Sequence, residues 1–261
     1  MINFSQYLPA YQPVELPSKG TLYAHDSVLK SGIIHIRPYA APEESLLYTW
    51  NADNSTMVIN SILRSCIQEK VNVEEMTTED AFFLMAWLRA WSFSQLYEFD
   101  LNCPYADCGK PGHYDVNLST LPVTEFDETI VEPIEVVLPM TKLKAFIQCM
   151  RRGTEVKAQK RQADMAAWID YKGDPTQLLK RAYSIRRVET PDGESTEEEL
   201  EIEKLCLYYL PAADSLVIDQ AIQTFKHGID VSLDLFCRGC ERIIHTELPG
   251  GPEFFRPQRA L

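Results

Sequence analysis

The sequence predicts an α+β fold in which a helical body surrounds two distant, strand-flanked pairs of cysteines, with an extended amino-terminal arm ahead of them. Three observations carry this. Apolar residues recur at helical spacing along 56–68, 77–91 and 214–228. Apolar and polar residues alternate on both sides of each cysteine pair. Prolines and glycines crowd residues 1–45. The chain then divides into an arm, 1–45, and a helical domain, 46–261, with knuckles near 99–118 and 231–248 and a helical insertion at 141–228.

The elements follow in order. Between the turn residues of the arm lie short β-type runs, Leu22-Tyr23 and residues 33–37, and Pro42-Glu43-Glu44 is placed to start a helix. Residues 56–68 carry one apolar stripe at 58, 59, 62, 63, 66 and 67. A stronger helix opens at Thr77 with Asp80 three residues on, resembling a capping box. It continues apolar on nearly every face through Leu88, as a helix inside a core or a partner interface does. Residues 96–101 alternate like a strand running into Cys103, and 113–118 alternate again beyond the pair.

A β-prone run at 130–138 closes at Pro139. Residues 141–187 read as two helices separated by Gly173-Asp174-Pro175. Thr196 with Glu199 can cap a helix that runs to about Leu210, before Pro211. The next helix starts at Asp214 and stops at Gly228 in a left-handed turn. Residues 231–236 and 242–248 are strands into and out of the last cysteine pair.

Composition bounds the function. With 261 residues, 45% of them hydrophobic and 24% charged, the chain can bury a substantial core, so disordered and fibrous classes are excluded. Lys plus Arg is 25 against 38 Asp plus Glu, a formal charge of −13, which removes a global basic footprint for nucleic acid. The longest apolar run, 81–91, is interrupted by Arg89 and falls short of the ~20 residues of a spanning helix. The first six residues lack the basic start and apolar core of a secretory signal, so a soluble protein of a reducing compartment is expected.

Seven cysteines are present. Cys66, Cys149 and Cys206 stand singly in apolar stretches and read as small buried hydrophobes. The remaining four form Cys103-x4-Cys108 and Cys237-x2-Cys240, each between an incoming and an outgoing strand. A tight turn lets both thiolates of a pair face one side. Two such turns facing each other complete the tetrahedral four-thiolate site of a discontinuous zinc ribbon. Gly109 and Gly239 supply turn freedom, and four sulfurs leave no open coordination position, so the single zinc is structural. Asp80 precedes Cys103 by 23 residues and Asp214 precedes Cys237 by the same 23, which suggests two similar helix–strand–knuckle units facing each other across the metal. His113 and His245, on alternating strands, read as surface residues.

No catalytic motif emerges. The chain has no phosphate-binding loop, nucleophile elbow, paired-histidine zinc motif or dinucleotide fingerprint, and its five histidines are scattered, so a non-enzyme is expected. Residues 141–187 hold twelve bases against four acids, and 189–203 hold eight acids. The block reads as solvated helix faces partly neutralised by those acids. The alternative is a zinc-ribbon regulator that binds nucleic acid or polymerase through 141–187.

The order of motifs adds a resemblance. Leu16-Pro17-Ser18-Lys19-Gly20, then Gly32 and Ile36-Arg37-Pro38, resembles the start of the T4-type phage baseplate hub family of contractile-tailed phages. So do Thr78-Glu79-Asp80 through Cys103-Pro104 and Cys108, and the ending Cys237-Arg238-Gly239-Cys240, Leu248-Pro249 and residues 251–255. The C-x4-C pair departs from the family's more usual C-x2-C. The resemblance implies a non-enzymatic structural or assembly protein of the tail baseplate hub, carried in the virion and assembled in the host cytoplasm. Its partners would be other baseplate and hub proteins and the tail tube or tape-measure protein, with neither membrane nor nucleic acid among them.

Overall fold

The structure is a computed structural model and describes residues 7–51, 54–168 and 173–255. Of the two β-type runs expected in the arm, residues 33–37 form β2 (Ile33–Ile36), whereas Leu22-Tyr23 lies in a turn. The partner of β2 is β1 (Gln12–Glu15), paired antiparallel with Val14 opposite Ile34. Alternation puts Val14, Ile34 and Ile36 on one face, and that face is buried in the main core beside Leu16. The arm is therefore not extended from the body but folded into it. A two-stranded hairpin is marginal in water, and burying its apolar face is what holds it.

That core is completed by α1 (Ala41–Tyr48), α2 (Ser55–Cys66) and α3 (Thr78–Ser92). Pro42 sits in the first turn of α1 as expected, and the Glu43 carboxylate accepts from the Ala40 amide and from Arg37. α2 turns Val58, Ile62, Leu63 and Cys66 inward. α3 is the apolar helix of the sequence reading, with Ala81, Leu84, Met85 and Leu88 buried. Thr77 caps it by accepting from the Asp80 amide at 3.2 Å. The Asp80 carboxylate does not close a capping box. It accepts from the Ser18 amide at 3.0 Å and the Tyr23 hydroxyl at 2.6 Å, docking the turn after β1 onto the helix.

Next come β3 (Leu96–Asn102) and β4 (Pro111–Asn117), an antiparallel hairpin, and then the short β5 (Val123–Thr124). A second core follows, around a four-stranded antiparallel sheet of β6 (Ile134–Val137), β7 (Lys144–Ile147), β8 (Ile185–Glu189) and β9 (Ser195–Thr196) in that order. The two helices expected in 141–187 are present as α4 (Arg152–Trp168) and α5 (Thr176–Tyr183). β7 and β8 flank them, so the segment 141–228 is not wholly helical. Their bases hide a strand pattern: Ala145, Ile147, Ile185 and Val188 are buried while Lys144, Arg186 and Arg187 stay at the surface or partly covered. Of the basic block, residues 169–172 lie outside the described residues.

α6 (Glu199–Lys204) passes into a π turn at Leu205–Tyr209 and ends before Pro211, as expected. α7 (Ala212–Gln223) stops well before Gly228. Gly228 instead opens β10 (Gly228–Ile229), which pairs with β5. It has φ +91, and a Cβ there would lie 3.3 Å from the Glu79 carbonyl of α3. Close passage beside α3, not the end of a helix, is what needs glycine here. The last described elements are the hairpin β11 (Ser232–Phe236) and β12 (Ile243–Glu247), then α8 (Pro252–Phe255), whose Phe254 and Phe255 return to the first core.

Candidate metal centre

The centre is built on two hairpins. In β3, Tyr97 and Phe99 point into the core while Glu98 and Asp100 face water, and β4 matches it from Leu96 opposite Asn117 to Asn102 opposite Pro111. The second hairpin runs from Ser232 opposite Glu247 to Phe236 opposite Ile243. Each narrows into a knuckle. The Cys103 amide donates to the Lys110 carbonyl and the Cys237 amide to the Arg242 carbonyl, both at 2.9 Å. Cys108 is followed by Gly109 at φ +58, whereas Cys240 is followed by Glu241 at φ +60. The first glycine serves the left-handed turn as expected. Gly239 serves differently: a Cβ there would meet the Lys110 side chain at 2.7 Å and the Cys108 sulfur at 3.2 Å. It lets the knuckles touch.

The turns bring Cys103, Cys108, Cys237 and Cys240 together, all four sulfurs within 4.8 Å of one another. Cys103 Sγ lies 3.8 Å from Cys240 Sγ, and Cys108 Sγ lies 3.9 Å from Cys237 Sγ. Tetrahedral zinc with Zn–S bonds of about 2.3 Å requires sulfur separations of about 3.8 Å. The donor set and its spacing are thus compatible with a metal ion. Side chains between the knuckles reinforce the pairing. The Tyr105 hydroxyl donates to the Ile243 carbonyl at 2.9 Å, and the Arg242 guanidinium lies over the Tyr105 ring at 3.9 Å while pairing with Asp107.

Arg242 also donates through Nε to Cys240 Sγ at 3.4 Å. This guanidinium, with the Arg242 amide, holds the Cys240 thiol down at about 6. The amides of Cys240 and Gly239 lower Cys237. Burial pushes Cys103 the other way, up to about 12. A cation among these sulfurs favours the thiolate at all of them.

The other predicted residues separate cleanly. Cys66, Cys149 and Cys206 are buried singly, and burial raises the thiols of Cys66 and Cys206 to about 12. His113 and His245 are exposed and stay out of the sulfur cluster, each bonded across its hairpin to Asp100 or Asp234. The basic segment is largely neutralised by partners: Lys157 with Glu199 at 2.6 Å, Arg161 with Glu203 at 2.7 Å, Arg181 with Asp219 at 2.7 Å and Arg151 with Glu132 at 2.8 Å.

Sequence reasoning missed a buried polar cluster in which His227 meets Thr77 at 3.1 Å and Asp80 at 3.4 Å. Its partners lie far apart in sequence, so no local spacing marks it. All three are buried. Tyr105, Asp107 and Arg242 were also missed, although all lie within two residues of a cysteine. Among the described residues no helix is long and apolar enough to cross a membrane.

The family of T4 bacteriophage base plate proteins matches the chain over residues 12–256. The chain belongs to that family. It is a phage base plate structural protein, and its place is with other base plate proteins in the tail. No curated protein and no solved structure matches it. The base plate match spans both cores and both knuckles, including residues 125–210, where the sequence resemblance offered no motif.

Proposed function

We propose that this base plate protein is a non-enzymatic structural or assembly protein of the baseplate hub, folded around one structural zinc in a discontinuous ribbon. The zinc ligands are Cys103, Cys108, Cys237 and Cys240. The observation that carries the metal reading is the approach of two cysteine pairs, more than 120 residues apart in the chain, to sulfur separations of 3.8 and 3.9 Å. Four thiolates form a closed tetrahedral shell, and such a site contributes folding free energy directly because the unfolded chain has no preformed site. The hub assignment rests on the order of sequence motifs. It implies assembly in the host cytoplasm, incorporation into the virion tail, and contacts with hub neighbours and the tail tube or tape-measure protein.

Metal analysis of the protein expressed alone tests the first half: about one zinc per chain is expected, lost together with much of the stability in Cys237→Ser. A stable wild type without metal would falsify it. Mass spectrometry of purified hubs and of whole particles tests the second half, and absence from hub complexes at every stage of assembly contradicts it.

A further inference from the structure

The two halves of the chain repeat each other beyond the shared interval of 23 residues. Each begins with an antiparallel strand pair, β1–β2 and β6–β7. The turn after the first strand starts Leu16-Pro17 in one half and Leu138-Pro139 in the other. In each it reaches a lysine in the left-handed region, Lys19 at φ +52 and Lys142 at φ +61, whose amide donates back to Leu16 or Leu138. Among the described residues the only other non-glycine there is Glu241. L-residues rarely adopt this conformation, so its recurrence in matching turns is specific.

Two helices follow each strand pair, and the chain then returns to the second strand. Ile36 bridges Ile67 just beyond α2, and Ile147 pairs with Ile185 just beyond α5. The Arg37 amide donates to the Cys66 carbonyl, and the Gln148 amide donates to the Ser184 carbonyl. A later helix of each half, α3 in the first and α7 in the second, carries a buried aspartate at its third position. Asp80 accepts the Ser18 amide, and Asp214 accepts the amides of Met140 and Thr141, so each aspartate grips the turn of its own half. A knuckle hairpin closes each half with the same cross-strand pair, Asp100 with His113 and Asp234 with His245. Each half supplies most of one core, Ile34, Ile62 and Leu84 in the first and Ala145, Ile147 and Ile218 in the second, while Leu22 packs in the second core and Leu233 and Leu235 of β11 pack against the first.

We infer that the chain is two tandem copies of one structural unit, residues 12–117 and 134–247, and that the four-cysteine cluster lies in the seam between them, each unit contributing one cysteine pair, alongside the contacts of His227 with Thr77 and Asp80 and of Arg152 with Asn60. The knuckle surface of one unit thus fits a second copy of the same unit. The segment 190–211, with β9, α6 and the π turn, is an insertion into the second. The metal in the seam rests on the zinc reading; the repeat rests on the hydrogen bonds and turns above.

Transplanting the shorter knuckle tests equivalence in the full chain. Residues 103–110 are replaced by Cys-Arg-Gly-Cys-Glu-Arg, with Asp107→Ala as the control for the lost contact to Arg242. The transplant is expected to bind as many zinc ions per chain as the control, with affinity within about tenfold of it. Loss of metal from the transplant alone overturns the equivalence of the knuckles. Hydrogen exchange on the wild type in rising denaturant tests the units without reference to metal. The amides of Ile34, Ile62 and Leu84 are expected to lose protection in one step and those of Ala145, Ile147 and Ile218 in another. A single shared step overturns the two-unit reading. A wild type without zinc removes the metal from the seam and leaves the exchange pattern to decide the repeat.

Discussion

Arg242 of the second knuckle pairs with Asp107 of the first across 135 residues of sequence, and the same guanidinium donates to the sulfur of Cys240. One side chain therefore binds the knuckles to each other and supports a thiolate. The exposed ion pair contributes little by itself, being screened by solvent. The hydrogen bond to a ligand sulfur matters more, since partners of metal ligands set affinity by roughly 10–100-fold. Arg242→Ala should keep the metal stoichiometry but lose zinc affinity by about that factor in a chelator competition. Unchanged affinity would show that the contact has no role in holding the ion.

The knuckles were legible because what marks them is local: cysteines at tight spacing with alternating strands on either side, and in the first knuckle a glycine at the left-handed turn. Their mutual approach was legible only from the chemistry of four thiols. The arm was misread because the partners of Ile34 and Ile36 are helices later in the chain, and turn residues alone look the same in a folded hairpin and a free extension. β7 and β8 were hidden by Lys144, Arg186 and Arg187, whose charge reads as a helix surface until the sheet supplies a rim. His227 gave no indication at all, since Thr77 stands 150 residues away.

That histidine makes stability depend on pH. Its Nδ1 faces the Phe225 carbonyl at 2.7 Å, and Nε2 faces Thr77 and Asp80, a set of acceptors that suits the protonated ring. Burial alone would lower its pKa, but the Asp80 carboxylate together with the Phe225 carbonyl and the Glu79 side chain holds it above the ordinary imidazole value. A raised folded pKa gives stability that is complete below the unfolded value near 6.5 and is lost as pH rises through the folded one. The melting temperature should therefore decline from neutral pH upward by a component that His227→Gln lacks. Parallel profiles for the two proteins between pH 6 and 9 would contradict this.

Phe254 ties the end of the chain to the first core. Its side chain is fully buried, its ring lies 4.8 Å from that of Tyr97, and its carbonyl accepts from Arg89 Nε at 3.1 Å. Phe254→Ala removes a large buried ring and leaves a cavity, which costs roughly 3–5 kcal/mol. The exposed Phe236 offers the comparison, and its alanine variant should stay within about 0.5 kcal/mol of wild type. Urea denaturation measures both. Equal, small effects would mean that the terminal helix is not part of the cooperative core.

The basic segment separates the base plate reading from that of a nucleic-acid regulator. Binding a polyanion requires cations free to neutralise phosphates, and each phosphate contact steepens the salt dependence. Here Arg161 pairs with Glu203, which is buried and also accepts from the Tyr183 hydroxyl at 2.9 Å. Lys157 and Arg151 are held by Glu199 and Glu132. Withdrawing these bases for phosphate would strand carboxylates, one of them inside the protein, at a cost that phosphate contact must first overcome. The protein should give no DNA or RNA mobility shift even at low salt. Arg161→Ala should act on the fold instead, lowering stability by roughly 1–3 kcal/mol because Glu203 loses its charged partner, with solvent access to Arg161 keeping the loss below that of a fully buried pair. A salt-dependent shift abolished by neutralising Arg151, Arg152, Lys160 and Arg161, with stability unchanged, would instead make those side chains a binding surface.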